Sequence, residues 1–178
     1  EEICANDSGK LWGENLYAPL MFVDRTTRKI FANEPDEQGL LKEKNGVYTG
    51  MYPVELLMNA TPYEYGGTIY AVSPLPLNEI PYDIKIAAVH SLFHRFQAVK
   101  GFASRVINTN YMDDREARLW LKLEWKALQK ALNSEGDERS LFIRDALIFR
   151  ASYRMLYPKY ADDANRFENY EGLATFTF

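Results

Sequence analysis

The sequence predicts an α+β fold. Residues 1–78 hold short runs of β-branched and aromatic residues broken by Gly, Pro and Asn, the punctuation of strands and turns. Residues 79–178 hold long stretches with apolar residues every three or four positions, the period of helices. Strands followed by helices, without alternation, argue for α+β over α/β. The 178 residues suffice for a single domain, 1–178, with its own hydrophobic core.

The first strands are "PLMFVD" (19–24) and "KIFANE" (29–34), flanking the polar turn "RTTR". "NEPDEQG" (33–39) is a loop by composition, and the Tyr-rich "GVYTGMYP" (46–53) a short strand or extended segment. The clearest strand lies in "GGTIYAVSPLP" (66–76), β-branched and aromatic from Thr68 to Val72 between a Gly pair and a Pro-rich exit.

A first long helix is expected from near Glu79 through His94 to about Val99, stopping at Gly101. Asn78 would cap it, Glu79 suits the positive end of the helix dipole, and Pro81 is tolerated in the first turn. "DDREARLWLKLEWKALQKALN" (113–133) repeats apolar residues at Leu119, Leu123, Ala127, Leu128 and Leu132, with an acidic first turn from Asp113 to Glu116. "NSEGD" breaks it. The next helix, "ERSLFIRDALIFRASYRML" (138–156), places Ile143, Ala146, Leu147 and Ala151 on one side and ends before Pro158. A last helix runs from about Asp162 towards Leu173.

The net charge of −4, with Lys and Arg spread through the chain, provides no basic patch for a nucleic acid. No apolar run reaches the length of a membrane span. One cysteine, Cys4, rules out an internal disulfide framework and a Cys-rich metal site. The chain begins at Glu1 without Met, which leaves room for a removed leader, so a secreted or periplasmic setting is expected ahead of a cytoplasmic one.

The only two histidines, His90 and His94, stand four apart in "IAAVHSLFHRFQ" (86–97). Residues at that spacing share one face of a helix, so two imidazoles can meet one metal ion without a loop to order. Ile86, Ala87, Val89 and Phe93 make the rest of the helix apolar, which places the pair at a partly buried site. A zinc site of the catalytic kind needs a third protein ligand and keeps a fourth position for water. Without further Cys or His, that ligand must be a carboxylate. Glu168 and Glu171 stand out, three apart in a segment otherwise short of charge, although most helical glutamates are simply solvated.

Taken together, several segments resemble the zincin-like metallopeptidases of the gluzincin type, in particular a group of bacterial proteins with a histidine helix reading "HELFHRIQ" and a last helix reading "EGLAEYTG". The counterparts here are "HSLFHRFQ" (90–97) and "EGLATFTF" (171–178). "LKLEWKAL" (121–128) and "RDALIFR" (144–150) are similar to the intervening helices, "AVSPLP" (71–76) to the preceding strand, and "FVDRTTRKIFAN" (22–33) to the opening segment. The resemblance implies a zincin-like fold with a small strand-rich half packed on a helical half, and Zn2+ held by His90, His94 and Glu171. It also implies an edge strand near 68–73 along which an extended peptide or protein ligand pairs.

Two departures bear on the chemistry. Phe176 stands at the place of the group's Tyr, and Ser91 at the place of its catalytic Glu. A hydroxyl is too weak a base near neutral pH to take a proton from metal-bound water, so hydrolysis is expected to be impaired while the ligands survive. Three explanations of Ser91 remain open: natural loss of activity, an inactivating substitution, or a base supplied by another group such as Glu168. The alternative to an impaired peptidase is a non-catalytic peptide- or protein-binding module on the same scaffold.

Gln97, one helical turn past His94, is a candidate for supporting a ligand from behind, or else a polar surface residue. Glu124, Arg118, Asp145 and Arg150 are expected to form ion pairs between helices, and Trp120 and Trp125 to lie in the core. Tyr153 and Tyr157 carry hydroxyls able to donate to an oxyanion.

Overall fold

The computed structural model describes residues 2–59, 61–76, 81–102 and 107–177. It is α+β, with six strands in the N-terminal half and a helical C-terminal half. The chain forms two compact units, Glu1–Ser104 together with Tyr170–Phe178, and Arg105–Asn169.

The first unit opens with a short helix α1 (Glu2–Asp7). Strands β1 (Leu20–Asp24) and β2 (Lys29–Ala32) form the expected antiparallel hairpin. Its turn closes on Asp24, whose Oδ1 accepts the backbone N–H groups of Thr26 at 2.9 Å and Thr27 at 2.6 Å, the local bonding that favours Asp in turns. Then come β3 (Lys42–Lys44), β4 (Val47–Met51), β5 (Tyr63–Tyr65) and β6 (Thr68–Leu75). The sheet order is β3-β4-β2-β1-β6-β5, and only the β1·β6 pair is parallel, from Leu20 opposite Ala71 to Asp24 opposite Leu75.

This order departs from the expectation of an edge strand near 68–73 at Thr68–Tyr70 only. β6 has β1 on one side and β5 on the other, where β5 covers Thr68–Tyr70. From Ala71 onward, β1 is the only strand registered against β6 among the described residues. The run Tyr70-Ala71-Val72-Ser73 is buried without alternation because both sheet faces are covered there. Tyr70 and Val72 enter a core with Met21, Val23, Ile30, Ala32, Leu41 and Tyr52. Ala71 faces the other way, into a second core with Cys4, Leu16, Leu92, Phe93 and Ala174. Leu92 and Phe93 belong to α2 (Pro81–Val99), which starts on its proline as a first helical turn allows. The proposed cap Asn78 and the dipole residue Glu79 lie outside the described residues.

The second unit contains α3 (Arg115–Leu132), α4 (Gly136–Leu156) and the start of α5 (Ala161–Phe176). The acidic stretch ahead of α3 is split: Asp113 closes a short 3-10 turn, and Asp114 is the N-cap, accepting from the Glu116 N–H. Both long helices have the expected period, but of the expected apolar residues only Ala127 on α3 and Ala146 on α4 are buried. On α3 the buried residues are Ala117, Glu124, Ala127 and Ala131, while Leu119, Leu128 and Leu132 are exposed. On α4 they are Ala146 and Tyr153, while Ile143, Leu147 and Ala151 are exposed. Trp120 is half-buried, but Trp125 is 60% exposed and is not a core residue. Tyr111, Ala117, Tyr153 and Ala164 form the core of this unit.

One loop contact shows how tightly the sheet end is built. Asp36 accepts backbone N–H groups from Gln38 (3.1 Å), Leu40 (2.9 Å) and Leu41 (2.6 Å). Burial alone would raise its pKa, but these donors outweigh it and hold the carboxyl below its ordinary value. Gly66, at φ +56°, lies against this carboxylate, and a Cβ there would stand 2.2 Å from Oδ1. Gly66→Ala is therefore expected to cost more than the roughly 1–2 kcal/mol of a left-handed non-glycine residue, because the carboxylate must also leave its donors. Gly46→Ala supplies the comparison, since its φ is +79° with nothing within 4 Å of the added Cβ. Urea denaturation of both variants checks this, and equal losses would refute it.

Candidate metal centre

The site is assembled from two helices of the first unit. α2 buries Val89, Leu92 and Phe93, and its adjoining face carries His90, His94 and Gln97. The last turns of α5 bury Ala174 in the same apolar cluster as Leu92 and Phe93. Residues three and four positions before Ala174 lie on the same side of that helix, and these are Glu171 and Tyr170. Packing of the apolar residues thus brings Glu171 to the two histidines.

His90 Nε2 and His94 Nε2 are 2.9 Å apart, and Oε2 of Glu171 lies 3.4 Å from the first and 3.5 Å from the second. The three groups are close enough to hold one metal ion. Among the described residues, no other trio of His, Cys, Asp or Glu side chains is so gathered. The His94 side chain is 3% exposed, that of His90 23% and that of Glu171 38%, so the cluster is closed on the His94 side and open on the Glu171 side. Burial lowers the His90 pKa, the neighbouring His94 lowers it further, and Glu171 opposes both without reversing them. The neutral imidazole, the form that ligates metals, is therefore favoured at His90.

Gln97 is not a surface residue. It is buried at 5% exposure, with Oε1 2.9 Å from His94 Nδ1 and Nε2 3.2 Å from the Tyr170 carbonyl oxygen. Tyr170 also stacks on His94, with ring centroids 4.2 Å apart and planes inclined by 19°. Nothing in the sequence marks Tyr170 among twelve tyrosines, apart from its place beside Glu171.

The remaining candidates lie elsewhere. Ser91 is buried at 2% exposure on α2. Glu168 belongs to the second unit, where both its oxygens face Arg150, at 3.1 and 3.2 Å. Arg150 also donates to Glu124 through Nε at 2.8 Å and Nη2 at 2.6 Å. Burial would lower the arginine's pKa, but the two carboxylates outweigh it and raise it. Of the expected ion pairs, Glu124 and Arg150 are thus joined. Arg118 instead donates to the Met112 and Asp113 carbonyls, and Asp145 has no ion pair among the described residues. Tyr153 is buried in the second unit's core, where burial raises its hydroxyl pKa. Phe176, at 67% exposure, meets Trp12 edge-on. Gly172, beside Glu171, has open space where a Cβ would stand, so no protein contact requires glycine there.

No protein-family model, curated protein or solved structure matches the chain.

The Glu124 side chain is only 4% exposed, so Arg150→Met leaves a buried carboxylate without its cation. Loss of one partner of such a pair costs about 3–5 kcal/mol. The double variant Glu124→Leu, Arg150→Met is expected to recover most of that loss. Chemical denaturation of the single and double variants measures the difference.

Proposed function

We propose that the chain is a zinc-binding domain of the zincin type, its hydrolytic chemistry impaired at Ser91, with a peptide or protein as its ligand. One observation carries this reading: two histidines one helical turn apart and a glutamate from another helix converge on a single point. Ligand atoms about 2.0–2.2 Å from one tetrahedral ion stand about 3.3–3.6 Å from each other. The His–Glu separations of 3.4 and 3.5 Å fall in that range, and the His–His separation of 2.9 Å requires only a small opening. Two neutral imidazoles and one carboxylate give a net charge of −1, which suits a divalent cation. The resemblance of "HSLFHRFQ" and "EGLAT" to gluzincin helices supports the same three ligands.

When bound, zinc lowers the pKa of its water and polarises a carbonyl. The residues of this chain supply the rest. His90, His94 and Glu171 hold the ion and leave the Glu171 side open to a ligand. A carboxylate after His90 would take a proton from the water and deliver it to the leaving amine. Ser91 has neither the basicity nor the reach, and Glu168 is engaged with Arg150.

The burial of Ser91 favours a second reading, the non-catalytic binding module. At 2% exposure Ser91 is packed rather than facing open space, which leaves little room for a longer proton-carrying side chain at this place.

Untagged protein is expected to purify with zinc or to take it up after chelator treatment. At a free zinc concentration about a hundredfold above Kd, the stability gain is about 2.7 kcal/mol. His90→Ala and Glu171→Ala are expected to lose this gain. Less than about a tenth of an equivalent bound, with no stabilisation of the parent beyond that of His90→Ala, overturns the metal reading. Ser91→Glu then separates the two functional readings. A gain of about 10²–10⁴-fold in cleavage of a peptide library supports the impaired peptidase. A folded, zinc-loaded variant without any gain supports the binding module.

A further inference from the structure

The buried amide of Gln97 makes two bonds, one towards each helix that supplies the cluster. The Tyr170 carbonyl can only accept, so the atom 3.2 Å from it is the amide nitrogen, and the amide oxygen faces His94 Nδ1 at 2.9 Å. An amide oxygen can only accept as well. In neutral His94 the proton then sits on Nδ1, which leaves the Nε2 lone pair pointing at His90 and Glu171. Across the 2.9 Å between the two Nε2 atoms, that lone pair can meet either a proton on His90 Nε2 or a cation shared with it. For both Nε2 atoms to face one cation, neutral His90 carries its proton on Nδ1.

We propose that Gln97 is the positioning residue of this cluster: its carbonyl selects the metal-binding tautomer of His94, and its NH2 group holds the Tyr170 carbonyl, and with it the turn bearing Glu171, in register with the histidines. This rests on the metal reading above. The acceptor is a neutral amide, so His94 gains orientation without the added negative charge of a carboxylate partner. Gln97 is 5% exposed as a residue, so its amide has little access to water. The aromatic stack of Tyr170 on His94 adds a second link between the same two residues.

The test uses the full chain and two readouts. In metal-free parent protein, 15N NMR of the histidine rings is expected to show His94 protonated on Nδ1 and bare on Nε2. Gln97→Glu, which keeps an acceptor, is expected to preserve that signature, and Gln97→Met, of similar length without the amide, to lose it. Zinc affinity, measured by competition with a chelating dye, is expected to fall about 10–100-fold in Gln97→Met. The d–d spectrum of cobalt-loaded Gln97→Met is expected to differ from that of the parent. A purely structural residue would lower the stability of the metal-free protein but leave the tautomer and the zinc affinity unchanged. His94 protonated on Nε2 in the parent, or zinc affinity within about twofold of the parent in Gln97→Met, overturns the proposal while leaving the metal reading intact. A parent that binds no zinc yet shows the Nδ1–H tautomer overturns the metal reading, and the positioning role falls with it.

Discussion

The contact on which the candidate site depends is apolar. Ala71 of β6 has no side chain beyond Cβ, so α2 can bring Leu92 and Phe93 down onto the sheet. Ala174 of α5 enters the same cluster at 0% exposure. Burying each large side chain there contributes about 1.5–3 kcal/mol, more than any single polar contact nearby. Once Phe93 faces inward, helix geometry turns His90, His94 and Gln97 to the adjoining face. Once Ala174 faces inward, Tyr170 and Glu171 stand one turn away on the same side. The polar groups meet because hydrophobic residues at fixed helical offsets from them share one core.

Two glutamates three residues apart on α5 show how surroundings assign roles to identical side chains. Glu168 meets Arg150, already bonded to Glu124, and its charge is answered by a guanidinium. Glu171 meets two imidazoles, which are neutral donors or acceptors and do not answer its charge unless protonated. Burial resists that protonation at His90. A carboxylate left in this way, with two nitrogen lone pairs able to turn towards it, has the electrostatics of a cation site. Its partial exposure keeps one side open, as an ion that also binds a ligand requires.

The position after His90 limits what such a site does. Serine there is closed in by packing rather than facing the open side. On the reading proposed above, a buried hydroxyl at this place keeps the helix but supplies no proton carrier, so holding an ion and turning over a substrate would be separable.

The fold class could be read from the order of strand-like and helix-like periods, and the histidine pair from its spacing alone. The faces of α3 and α4 could not. Their apolar period points to Leu119, Leu132 and Leu147 as well as to Ala127 and Ala146, yet the buried positions are the small ones, Ala117, Ala127, Ala131 and Ala146, with Glu124 among them. Helices that approach through alanines leave their leucines outside, and the pattern of hydrophobicity does not reveal which stripe a neighbour will choose. β3 was likewise invisible, since "KEK" is fully exposed and is held to β4 through the backbone. From spacing alone Glu168 and Glu171 are equivalent, and only the resemblance to gluzincin helices singles out Glu171, while Gln97 is either a support for a ligand or a surface residue. Local chemistry, acting through neighbours along the chain, determined the helices, the strands and the shared face of His90 and His94. Only the tertiary structure, through the packing of Ala71, Phe93 and Ala174, decided which glutamate reached that face and what Gln97 would hold.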